Sequence, residues 1–95
     1  MIATDSVPKL AKKVRLRFDR HEGKHMLLYP ERGLLLSASA AAIAERCDGT
    51  RTVADIAREI AAACDPAAAP QEADIARDVI DFLEGLAARG LLERP

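Results

Sequence analysis

Few side chains in this sequence are placed to do chemistry. His21 and His25 stand four residues apart with Glu22 between them. A metal site needs three or four converging ligands, and only Glu22 lies near the two imidazoles, so no metal is assigned. Cys47 and Cys64 are too far apart for a redox or zinc spacing and read as small apolar fillers at helix ends. Asp48, directly after Cys47, reads as a turn residue. Asp74, Asp78, Asp81 and Glu84 follow one another along a C-terminal segment as a solvated face, or as a contact for a basic partner surface. There is no Ser/His/Asp order, no Gly-rich phosphate loop and no carboxylate pair in a plausible cleft. The expectation is a protein that is not an enzyme, with no catalytic residue, metal or cofactor.

The chemistry the chain does offer is that of an unpaired backbone. Val14, Leu16 and Phe18 alternate with Arg15, Arg17 and Asp19, the period of a strand with one buried and one wet face. Leu34-Leu35-Leu36 does not alternate and puts apolar side chains on both faces of a strand that ends a sheet. Charge, proline or a bulge normally blunts such an edge. Arg15 and Arg17 blunt the first edge, and nothing blunts the last. Either helices cover it, or it is open to another strand.

The elements that position this edge follow from turn and cap signals. Residues 1–13 are expected as a flexible lead-in, with Pro8 breaking any early helix. Residues 14–95 are expected as a single domain. Its strands are Val14–Arg20, His25–Tyr29 and Leu34–Ser37, joined by His21–Lys24, with Gly23 at positive φ, and by Pro30–Gly33. Ser37 and Ser39 both offer N-cap hydroxyls for a helix over Ala40–Cys47, which Asp48-Gly49 stops. Thr52 and Asp55 form a capping-box-like pair for a helix whose buried stripe is Val53, Ile56, Ala57, Ile60 and Cys64. Residues 65–71, bounded by prolines, form a linker. The last helix runs from Glu72 to Arg89. Ile75, Val79, Phe82 and Leu86 form one row, with Ile80, Leu83 and Ala87 beside it. Gly90 ends the helix, and Leu91-Leu92 tuck back. The order is α+β: a three-stranded antiparallel meander followed by three α-helices.

Composition agrees with one modest core. The 95 residues are 49% hydrophobic with only three aromatics, so the core is built of Leu, Ile, Val and Ala. No apolar run is long enough to span a bilayer, and the N-terminal residues lack a signal-peptide pattern. Unpaired thiols in such a chain suit a cytoplasmic protein. The net charge of −1 conceals a dipole. Residues 1–25 carry seven basic side chains against three acidic ones, and residues 45–95 carry eleven acidic against six basic. That favours oriented docking with a charged partner.

Taken in order, Val14-Arg15-Leu16-Arg17-Phe18-Asp19, Leu27-Leu28-Tyr29-Pro30-Glu31, Leu36, Ser39–Ile43, Cys47-Asp48-Gly49-Thr50-Arg51-Thr52-Val53, Ile56 and Asp78–Leu83 resemble the PqqD family, coenzyme PQQ synthesis protein D. The resemblance covers nearly the whole chain from Pro8 onward. It implies a winged-helix-like fold acting as a recognition element for a ribosomally made, later modified peptide. Members bind the precursor peptide PqqA and present it to the radical SAM enzyme PqqE, which joins a glutamate and a tyrosine side chain of that peptide. The peptide adds a strand to the edge of the third strand, against the last helix. Carried over, that implies a peptide site at Leu34, Leu35, Leu36 and Ser37, with Ile75, Val79, Phe82, Leu83 and Leu86 across from them. The expected state is a monomer or a strand-paired homodimer, without nucleic acid or membrane as partner. The alternative is a DNA-binding winged helix. Against it, the last helix holds five acidic residues and two basic ones, which phosphates would repel.

Overall fold

The computed structural model describes residues 2–29, 32–63 and 72–93. Pro30 and Glu31 of the second turn, the expected linker at 65–71 and Cys64 lie outside them. Three strands come first: β1 (Arg15–Asp19), β2 (Lys24–Tyr29) and β3 (Arg32–Leu35). They form one antiparallel sheet in the order β1-β2-β3. Three helices follow: α1 (Ala38–Glu45), α2 (Val53–Ala63) and α3 (Glu72–Ala88). The expected element order is the observed one.

The β1–β2 hairpin turns on Asp19. Its carboxylate accepts the N–H of His21 at 2.9 Å and of Glu22 at 3.4 Å, and Gly23 closes the loop at a φ of 66°. Across the sheet Leu16, Leu27 and Leu34 stand opposite one another. Leu27 is fully buried, so theirs is the core face. The expected inward row of β1 does not stay buried along its length. Val14 is buried, Leu16 is half-buried, and Phe18 is 56% exposed with its edge against the His25 ring, centroids 5.1 Å apart. At Phe18, on the outer strand of the sheet, the alternation continues without cover.

Two boundaries differ from expectation. Strand β3 begins at Arg32 and ends at Leu35, two residues earlier than the leucine run suggests. Helix α1 correspondingly starts at Ala38. The cause is the cap. Ser37, not Ser39, supplies the hydroxyl, accepting the Ala40 N–H at 3.1 Å, and the helix forms around it. The Thr52–Asp55 box forms in both directions, at 3.0 and 3.1 Å.

Residues 2–13 are bonded into the body. The carbonyls of Thr4 and Ser6 accept the N–H groups of Ala54 and Val53, two of the donors that a helix start leaves without partners. Leu10 bridges to Leu92, and Lys9 to Asp48. The Cys47–Val53 bend locks this arrangement. The Gly49 N–H donates to the Pro8 carbonyl, its φ is 83°, and a Cβ there would come within 3.0 Å of the Lys9 side chain. Glu59 of α2 ties the bend to α1 by taking Arg46 at 3.3 Å and Arg51 at 2.8 Å.

The core lies between the sheet and the helices. Leu27 and Leu36 meet Ile43 of α1, Val53 and Ile56 of α2, and Val79 and Leu83 of α3. Leu91, just past the Gly90 turn, closes it.

Candidate peptide-binding groove

The outer edge of β3 offers a defined set of backbone groups. The Leu36 N–H donates to the His25 carbonyl at 2.9 Å, which places the pair 25/36 in hydrogen-bonded register. Antiparallel ladders alternate, so Leu34 with Leu27 and Arg32 with Tyr29 also exchange their bonds across β2. Gly33 and Leu35 therefore direct their N–H and C=O groups away from the sheet. These two residues are the free rungs.

Beside this edge runs a groove of about 350 Å³. One wall is Leu34, Leu35, Leu36, Ser37 and Ala40; the other is Asp81, Phe82, Gly85 and Leu86 of α3 with Arg89 in the turn just past it. The α3 wall has two rows. Phe82 and Leu86 form the inner one, and Asp81, Gly85 and Arg89, four residues apart, form the outer one. The lining is apolar at its floor, with a carboxylate toward one end and a guanidinium toward the other. Neither charge has an ion-pair partner among the described residues.

Of the residues expected to contact a peptide, Leu34, Leu35, Leu36, Ser37, Phe82 and Leu86 line this groove. Ile75, Val79 and Leu83 instead sit in the core, 7%, 0% and 0% exposed, and Leu86, 2% exposed, belongs to the core as well as to the groove wall. Leu83, read as the flanking row, is buried, and Phe82, read as the central row, is half-buried at the groove. The two adjacent positions exchange roles because the side of α3 turned into the core carries Val79, Leu83 and Leu86. Ala40, Asp81, Gly85 and Arg89 also line the groove, outside the expected set. The four-residue spacing of Asp81, Gly85 and Arg89, along and just past α3, is visible in the sequence.

The other reactive candidates are structural. Burial, helped by the Asp48 charge, pushes the Cys47 thiol up to about 12, and its S–H reaches the Ile43 carbonyl at 3.2 Å. A thiol held protonated is a poor nucleophile. The Thr50 hydroxyl and N–H, with Arg51, hold the Asp48 carboxyl below its usual range, as suits a turn residue. His25 faces Glu45 at 3.5 Å, and no three metal-ligating side chains converge among the described residues. The exposed face of α3 carries Asp74, Asp78, Asp81 and Glu84, a surface that repels phosphate.

Residues 24–92 match the family model described as coenzyme PQQ synthesis protein D (PqqD). A PqqA binding protein of Xanthomonas oryzae pv. oryzae is 43% identical over 91 residues, covering 96% of this chain and 95% of that one. Among solved structures, the PqqD truncation of Methylobacterium extorquens PqqCD is 37% identical, with a TM-score of 0.83 over 99% of this chain and 96% of its own. It is described as a functional, stand-alone recognition element for ribosomally synthesized and post-translationally modified peptides. TbiB1, solved with the TbiA(beta) leader peptide, is 22% identical with a TM-score of 0.74, over 92% of this chain and 96% of that one. At that identity the likeness is one of fold.

Proposed function

The chain belongs to the PqqD family, and on that premise we propose that it binds the precursor peptide PqqA and presents it to the radical SAM enzyme PqqE. The observation that carries this reading is the open edge of β3 beside the α3 groove. Gly33 and Leu35 offer backbone rungs to an added strand, and the groove receives alternate side chains of that strand. The family is one of recognition elements and not of catalysts. The chemistry then belongs to PqqE. The contribution of this chain is to raise the local concentration of the peptide and fix its placement beside the enzyme, in the cytoplasm. A β3 edge that pairs with its own copy would compete with the peptide for the same rungs, so monomer and edge-paired dimer are alternative states of one surface.

The test has two parts. Titration of isotope-labelled protein with synthetic PqqA is expected to move amide signals at residues 33–37 and along 81–89. Shifts confined to the hairpin tip at 21–24 would refute the groove. PqqE, a reductant and S-adenosylmethionine are then supplied with PqqA below saturation. The Glu–Tyr crosslink, read as the loss of two hydrogens in peptide mass, is expected to form efficiently only with this protein present. Equal crosslinking without it would refute presentation.

A further inference from the structure

Three of the five glycines are explained by the backbone itself: Gly23, Gly49 and Gly90 take positive φ. Gly33 lies on β3, where a Cβ would meet only the movable end of the Met26 side chain, at 2.8 Å. Gly85 has no such reason. It lies inside α3 with helical φ, and a Cβ built there meets nothing within 4 Å. Glycine in a helix interior is also the poorest choice after proline. The missing side chain thus weakens the helix and relieves no crowding in the folded protein.

Its position supplies a reason. Gly85 stands in the outer row of the α3 wall between Asp81 and Arg89, next to the apolar Phe82 and Leu86. A strand paired to Gly33 and Leu35 sends every second side chain toward α3. One helix turn on either side of Gly85 carries a charged residue, so this is where the outer wall has least bulk.

We propose that Gly85 is the specificity notch of the groove, a gap that admits one large apolar or aromatic side chain of the bound peptide beside the half-buried Phe82 and above the buried Leu86. The proposal rests on the peptide-binding reading and names the chemistry of its ligand. The clearance serves the complex, and the free protein gives up helix stability for it.

Stability and affinity therefore move in opposite directions at this position. Gly85→Ala is expected to raise the melting temperature by roughly 4–8 °C, the yield of a helix-interior Gly-to-Ala change in a domain of this size. The same variant is expected to weaken binding of synthetic PqqA by about threefold, and Gly85→Leu by about tenfold or more, as a filled pocket does. An alanine scan of PqqA against the wild-type protein is expected to find one large apolar residue whose truncation costs about tenfold. Against Gly85→Leu the same truncation should cost little. Wild-type affinity in a folded Gly85→Leu protein would overturn the notch and leave peptide binding standing. A lowered melting temperature in Gly85→Ala would overturn it too, since the glycine would then serve the fold. Failure of the wild-type protein to bind PqqA at all would remove the reading and the notch together.

Discussion

At the scale of single residues, the alternation of rungs along β3 separates binding from folding. Proline removes a backbone donor. At position 35 the lost N–H points outward, so Leu35→Pro should leave circular dichroism nearly native and weaken PqqA binding by about tenfold or more. At position 36 the lost N–H is the one bonded to the His25 carbonyl, and the side chain is 3% exposed. Leu36→Pro should cost about 3 kcal/mol or more and unfold a marginal domain. Equal affinity in folded Leu35→Pro would show that peptide docks elsewhere. The sequence alone marked this strand as unusual, because three leucines in a row leave no polar face. It did not reveal which of them faces outward. That depends on register, and register depends on turn length and on the Ser37 cap. Phe18 shows the same limit from the other side. Its alternation is intact, yet it is exposed, because alternation assigns a face and not the cover over that face.

At the scale of elements, α3 divides its labour along two adjacent faces. Val79 and Leu83 are fully buried, so Leu83→Ala should cost about 2–5 kcal/mol in a denaturant melt. Its folded fraction should bind PqqA with unchanged affinity, since the side chain does not reach the groove; a tenfold loss in the folded fraction would place Leu83 in the site. Hydrophobic periodicity showed that α3 is apolar over a broad stripe. It did not show where core ends and groove begins, because both are lined by the same residue types. Helix α2 carries its own test. The Thr52 N–H and hydroxyl hold the Asp55 carboxyl below the usual carboxylate value, with Arg58 adding to the effect. A carboxyl depressed on folding stabilises the protein above its unfolded pKa, and that stability is lost as pH falls through the folded one. The melting temperature should therefore be level from pH 7 to about pH 5 and decline below about pH 4. Asp55→Asn should start lower at neutral pH and decline less steeply. A parallel decline in both proteins would show that the cap is not part of the acid response.

At the scale of the whole molecule, the basic N-terminal quarter and the acidic second half make the chain a dipole that orients its encounters. This asymmetry was legible in the sequence, as were the element order, the hairpin loop at His21–Lys24 and the bend at Cys47–Val53; the part of Asp19 in that loop was not. What composition did not show is that the chain is closed on itself. Lys9 through Ala11 are bonded to Leu91, Leu92 and Glu93, and Thr4 and Ser6 supply the acceptors for the start of α2. Contacts between such distant parts of a chain form late, because the intervening loop must close first. During synthesis residues 9–11 thus leave the ribosome about eighty residues before Leu91, Leu92 and Glu93 do, whereas the partners of Thr4, Ser6 and Pro8 follow much sooner. The hairpin and α1 are free to form earlier, but the N-terminal strap waits. A chain stalled with residues 88–95 still inside the exit tunnel is expected to be cut readily by protease within residues 9–13. The released protein should resist cleavage there. Equal cutting of the two would show that the strap closes without its C-terminal partner.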